Sequence, residues 1–341
     1  MSESTALKKI RMHFPEISTK AWEHPADRAA LTALRKVPGL DLVLQKLIGL
    51  STEKSLRLIA LASSIRVTER QYPKVHDMLR EACATLDVAT PPELYIAQNP
   101  FLNASAVGVD RPFIVLNSSL VEAASDDELL CIVGHELGHV ASGHALYKTL
   151  LALLVRLSSL ALTLPLGGAS LMAIIMALRE WDRKSELSAD RAGLLVVQDP
   201  EVAYRIDMKL AGAMRPEEID VNEFFQQAAE YERGEGLLDS FHKLLNLVGQ
   251  THPFPVLRLT ELKSWVDSGA YAKVMAGDYM RRGDEAKETV RENVREAAGQ
   301  YREDFATSQD PLAELLRNAW DNTDGVRTKA KDAFDAVFGK K

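Results

Sequence analysis

Cysteine is scarce in this chain: Cys83 and Cys131 are the only two among 341 residues. One pair cannot build the disulfide framework of a small secreted domain, and the reducing cytoplasm is the simpler assumption. Positive charge is in deficit as well. Lys and Arg number 41 against 48 Asp and Glu, a net charge of −7, which leaves no generally basic surface for nucleic acid. The opening stretch, MSESTALKKIRMHFPEISTK, has no uninterrupted apolar run behind its basic residues and does not resemble a secretory signal, so a cytoplasmic location is expected. Core-forming material is not lacking. At 46% hydrophobic and 26% charged, the composition fits an ordinary folded protein, and its length allows one or two domains.

From about Pro25 to Arg80 the pattern is helical: Leu40, Leu44, Leu47 and Ile48 keep helical spacing, as do Leu56, Ile59, Ala60 and Ser63. VPGLD at 37–41 offers a stop and a restart. A further helix is expected from Val75 to Leu86. Then come three short runs rich in β-branched and aromatic residues, 93–97, 102–109 and 112–117, which read as strands of a small antiparallel sheet. Ser125 and Glu128 form a capping-box pattern that opens the next helix. The almost wholly apolar stretch 150–178 follows, interrupted by Arg156 and broken at Pro165–Gly168. The tail from Arg281 is highly charged, with apolar residues at loosely helical spacing.

Histidine is also sparse, which makes its distribution informative. Three of the eight fall in CIVGHELGHVASGH, residues 131–144. His135-Glu136-Leu137-Gly138-His139 is an H-E-x-x-H pattern. On a helix the two imidazoles, four residues apart, can reach one ion, with Glu136 beside them to take a proton from a water on it. A catalytic zinc needs a third protein ligand and an open position. His144 does not satisfy the longer H-E-x-x-H-x-x-G-x-x-H motif, because Ser142 and Ala145 stand at the required Gly and His positions. It reads as a neighbouring-helix residue, or one that supports a ligand. SELSAD supplies Glu186 and, four residues on, Asp190. Glu186 can bind the metal while Asp190 accepts the free ring N–H of a ligating histidine and fixes its tautomer. Cys131 shares the His135 face and reads as a core residue, not a nucleophile.

These motifs, with NASA (103–106), IVLNSSLV (114–121) and THPFPVLRL (251–259), resemble those of M48 peptidases, the gluzincins related to HtpX and the Ste24 prenyl-protein peptidases. The likeness covers roughly residues 75 to 265. It implies His135, His139 and Glu186 as ligands of one Zn2+ per chain, Glu136 as general base, and a catalytic contribution from His252 near the bound water. It also implies that the strand Asn103, Ala104, Ser105, Ala106 pairs with the substrate backbone, with Arg258 as a further substrate-binding residue. The implied fold is α+β and predominantly helical: a zincin-like peptidase domain with a small antiparallel sheet, plus helical N- and C-terminal extensions. The domain boundaries read as 1–74, a helical N-terminal region; 75–276, the M48-like peptidase domain; and 277–341, a charged amphipathic tail.

If His139 and Glu186 hold one ion, the chain between them crosses a bilayer an even number of times. Two crossings need about 40 apolar residues plus a turn. The stretch 150–178 offers 29, one of them Arg156. It reads instead as an apolar helical hairpin, either buried, peripheral to a membrane, or packed on another subunit. The expected activity is that of a zinc endopeptidase acting on extended protein segments, with protein or peptide substrates and no nucleic acid. The rivals are a zinc-stabilised scaffold without proteolysis and an aminopeptidase using the same chemistry.

Overall fold

Prolines punctuate the helices of this molecule. Pro25, Pro73, Pro200 and Pro255 each stand in a first turn, where the missing N–H has no helical partner to lose and the fixed φ suits the helix. The computed structural model describes residues 11–37, 39–40, 44, 52–161, 168–215, 218–233 and 254–285. His252, residues 162–167 and the tail beyond residue 285 lie outside them. The helices are α1 (Pro25–Leu34), α2 (Thr52–Ser63), α3 (Pro73–Thr85), α4 (Ser118–Ala123), α5 (Asp126–Ala141), α6 (His144–Ala161), α7 (Gly168–Val197), α8 (Pro200–Leu210), α9 (Val221–Arg233), α10 (Pro255–Asp267) and α11 (Ala270–Met275). The strands are β1 (Ser64–Arg66), β2 (Leu94–Ala97), β3 (Ala104–Val107) and β4 (Phe113–Asn117).

The expected sheet is present, but it is mixed rather than wholly antiparallel. Its order is β1-β2-β4-β3. β1 pairs with β2 and β3 with β4 in antiparallel fashion, while β2 and β4 run parallel. The parallel pair arises because the loop between β2 and β3 passes over the end of β4. The start of α4 holds that loop: Ser119 Oγ and Asn117 Nδ2 both donate to the Phe101 carbonyl, at 2.8 and 3.0 Å. β1 lies where the helical pattern of α2 runs out. At three residues it is too short to show a period of its own, and cross-strand partners such as Ile96 opposite Ile65 define it.

α5 begins as its sequence suggests. Ser125 Oγ accepts from the Glu128 N–H, and the Glu128 carboxylate accepts from the Ser125 N–H. Asp126, Asp127 and Glu128 also favour the positive end of the helix dipole. The main core surrounds α5. It takes Leu129, Val133 and Leu137 from that helix, Leu79 from α3, Ile114 and Leu116 from β4, Leu195 and Val196 from α7, and Leu259 from α10. Phe14, Ile17 and Trp22, from the segment before α1, are part of the same core. A second cluster joins α1 (Ala30, Leu34) to α6 (Leu150, Leu154) and the first half of α7 (Ile175, Leu178, Trp181). The described side chains of 150–178 in this cluster are buried, and among the described residues no helix is long and apolar enough to cross a membrane.

Both cysteines are free and buried. Burial pushes the Cys83 thiol up to about 12 and raises Cys131 well above its ordinary value. Native protein treated with N-ethylmaleimide near neutral pH should therefore take up no label, and denatured protein two labels per chain, as read by mass spectrometry. Rapid native labelling of Cys131 would contradict the inert, core role.

Candidate metal centre

The centre forms where α5 and α7 cross at close range. Gly134 and Gly138 lie one turn apart on α5, facing small residues of α7. A Cβ on Gly138 would stand 2.5 Å from the Ala192 Cβ, and one on Gly134 would stand 2.7 Å from the Val196 Cβ. Only glycine permits this approach, which sets His135 and His139 against Glu186. Gly138→Ala should therefore force the helices apart, destabilise the fold by about 1–3 kcal/mol and weaken metal binding. Urea denaturation and a zinc titration would check both effects, and an unchanged midpoint would contradict the packing described.

Candidate ligand atoms of His135, His139 and Glu186 all lie within 4.8 Å of one another. His135 Nε2 is 3.4 Å from one Glu186 oxygen, and His139 Nε2 is 3.2 Å from the other. Ligands about 2.0–2.1 Å from a tetrahedral zinc stand about 3.3 Å apart. Two buried atoms, His139 Nε2 and Glu136 Oε2, have no hydrogen-bond partner, as befits groups turned towards an ion and its water. The adjoining cavity, about 60 Å³, has His135, Glu136, Glu186 and Asn103 in its walls. Two imidazole nitrogens and a carboxylate oxygen in such a space fit a divalent transition metal.

Each histidine is held from behind. His135 Nδ1 lies 3.0 Å from Asp190 Oδ1. Burial pulls the His135 pKa down, but its hydrogen bonds with Asp190 and Glu186 and their charges outweigh that and lift it to about 9. Burial, followed by the nearby Lys148 cation, keeps His139 well below the usual histidine range. His139 Nδ1 is 3.0 Å from His144 Nδ1. Glu136 is 4% exposed, with its Oε1 4.0 Å from His135 Nε2, and burial raises its pKa.

The sequence places Arg258 among the substrate-binding residues. In the structure its guanidinium is buried and committed to Asp190, with Nε donating at 2.9 Å and Nη2 forming a second, shorter bond. It also stands 3.5 Å from Glu186 and 3.6 Å from Asp207. Three carboxylates thus surround it, and it also lines the cavity beside His135 and Glu136. Lys148 is a site residue that the motif pattern does not reveal. Its ammonium donates to Asp182 Oδ1 at 2.8 Å and to Glu186 Oε1. Asp182, Glu186 and Asp190 thus form a row at i, i+4 spacing along α7, and the periodicity of that row is the signal that could have found the first of them.

Asn103 and Ala104 line the cavity beside the centre, and Ser105 and Ala106 continue the strand away from it. Ala104 and Ala106 turn their methyl groups inward, and Ser105 is half-buried. β3 ends the sheet. The Asn117 N–H donates to the Asn103 carbonyl, so by antiparallel alternation Ser105 and Val107 bond to β4, while the backbone groups of Ala104 and Ala106 face the outer edge. A groove of about 480 Å³ runs along that edge, walled by α2 and α6 and reaching Lys148.

Residues 69–266, more than half the chain, match the model of peptidase family M48. The chain belongs to family M48. This M48 peptidase is 32% identical over 268 residues to the plastoglobule-localized metallopeptidase 48 of Arabidopsis thaliana, covering 77% of each chain. It is 23% identical over 172 residues to a protease HtpX homolog of Methanosarcina acetivorans, covering 43% of this chain and 58% of that one. A protease HtpX homolog of Helicobacter pylori matches at 34% over 77 residues, 22% of this chain and 25% of the relative. No solved structure matches. Membership makes the chain a metal-dependent peptidase in general terms.

Proposed function

We propose that the protein is a zinc endopeptidase that cleaves extended or misfolded protein segments, with His135, His139 and Glu186 holding one zinc ion and Glu136 serving as general base. The observation that carries the reading is the convergence of those three donors beside a buried, unpartnered Glu136 oxygen. Bound there, the metal would polarise the scissile carbonyl and lower the pKa of a coordinated water. Glu136 would take the proton from that water at its free oxygen and deliver it to the leaving nitrogen; its raised pKa suits that exchange. The outer edge of β3 would hold the substrate backbone by strand addition, and the apolar walls of the groove would accept its side chains. Asp190, gripped by Arg258, would keep His135 in the tautomer whose Nε2 lone pair faces the ion.

His252 remains part of the proposal as a group near the water, on its motif alone. The cytoplasm is the proposed compartment, supported by two buried, free cysteines. The test is cleavage of an unbiased peptide library by purified protein, with zinc content measured before and after chelation. Internal cleavage that is lost with the metal and restored by zinc supports the endopeptidase. Stoichiometric zinc without cleavage would favour a scaffold, release of single N-terminal residues would favour an aminopeptidase, and folded protein unable to bind zinc would overturn the site.

A further inference from the structure

Behind His139 a buried chain of polar groups leads out of the catalytic helix and ends on the N-terminal segment. His144, at the start of α6, touches His139 through Nδ1; its Nε2 lies 3.1 Å from Asp27 Oδ2. Asp27 belongs to α1 and is fully buried. Ser188 Oγ donates to its Oδ2 at 2.6 Å, and Trp181 Nε1 donates to its Oδ1 at 3.1 Å.

The bonding in this chain has a direction. An ionised carboxylate only accepts, and a neutral imidazole carries one N–H. His144 therefore donates from Nε2 to Asp27, which leaves its Nδ1 as an acceptor. His139 must then donate from Nδ1, and its Nε2 is left with a lone pair aimed at Glu186 and the metal position. We infer that Asp27, acting through His144, is a positioning residue that sets the metal-binding tautomer of His139, so that α1 is part of the metal centre. The inference rests on reading His135, His139 and Glu186 as the metal ligands. It goes beyond the family match, which begins at residue 69.

Asparagine at position 27 makes a discriminating probe. The Trp181 indole can only donate, so the amide must present its oxygen to Trp181 and its NH2 to His144. That reverses the donors at both histidines: His144 accepts at Nε2 and donates from Nδ1, and His139 is driven to carry its proton on Nε2. Two substitutions at His144 separate orientation from bulk. Leucine fills the space without polar groups, while glutamine can accept from His139 and donate to Asp27.

The experiment uses the full chain and zinc alone. Zinc affinity is measured by chelator competition for wild type, Asp27→Asn, His144→Leu and His144→Gln, and the His139 tautomer in zinc-free protein is read by ring-nitrogen NMR. Wild type and His144→Gln should bind alike, and Asp27→Asn and His144→Leu about 10–100-fold more weakly. In Asp27→Asn the His139 proton should move from Nδ1 to Nε2. If Asp27→Asn does not fold, the His144 pair decides. Leu and Gln variants of equal affinity would overturn the inference, as would an unchanged tautomer in folded Asp27→Asn. A folded wild type that binds no zinc would overturn the ligand assignment itself, and the inference with it.

Discussion

Peptide cleavage by the Glu136→Gln protein should fall by about 100- to 10,000-fold, the usual worth of a positioned acid–base group, while zinc content stays at that of the parent. Glutamine has the size and shape of glutamate, so a buried side chain with 4% exposure can be exchanged without opening a void. What it loses is the capacity to accept and return a proton. The native carboxylate has one oxygen 4.0 Å from His135 Nε2 and one with no partner. It contributes nothing to the candidate ligand set, so its removal leaves the three donors in place. Quenched-fluorescence kinetics on a cleaved peptide, with metal analysis of both proteins, checks the two halves separately. Parental turnover in the glutamine variant would remove Glu136 from the base role. Lost metal in a folded variant would mean that Glu136 shapes the site itself.

The largest effect on stability is expected at Arg258. Changing it to methionine should cost about 3–5 kcal/mol, the usual result of removing one partner of a buried ion pair. A typical domain has only about 5–15 kcal/mol in total. Asp190 would keep its charge and lose its two-pronged partner. Asp207 would suffer less: burial, only partly offset by Arg258, already lifts its pKa to about 8, so it is largely protonated near neutrality. The double variant Arg258→Met/Asp190→Asn should therefore recover much of the loss, whereas Arg258→Met/Asp207→Asn should recover little. Urea midpoints at constant m-value would measure this. A shift below about 1 kcal/mol for the single variant would contradict the pairing, since even a neutral unsatisfied buried group costs about that much.

The local part of the centre was legible in the sequence because helical geometry makes spacing predictive. Four residues separate His135 from His139 and Glu186 from Asp190, and in each case the pair shares a face. The capping pair Ser125 and Glu128 was readable for the same reason. Features that depend on distant segments were not. Nothing near His144 announces that Asp27 will meet it, and nothing near Arg258 announces that three carboxylates will surround it. The parallel pairing of β2 with β4 depends on how one short loop crosses a strand end, and β1 depends on a neighbour. Lys148 was hidden differently: it sits just ahead of the apolar run, where a single cation one turn past His144 carries no motif.

The outer edge of β3 has a consequence for the choice of substrate if it works as proposed. A four-residue strand can be extended only by a chain whose own backbone groups are free, and folded proteins keep theirs paired. Where opening is fast relative to cleavage, the rate follows the fraction of time a segment spends unfolded. Every additional 1.4 kcal/mol in local opening free energy, by the usual exponential relation, slows hydrolysis about tenfold. Discrimination between sound and damaged proteins then needs no separate sensor: the stability of the client sets how fast it is destroyed.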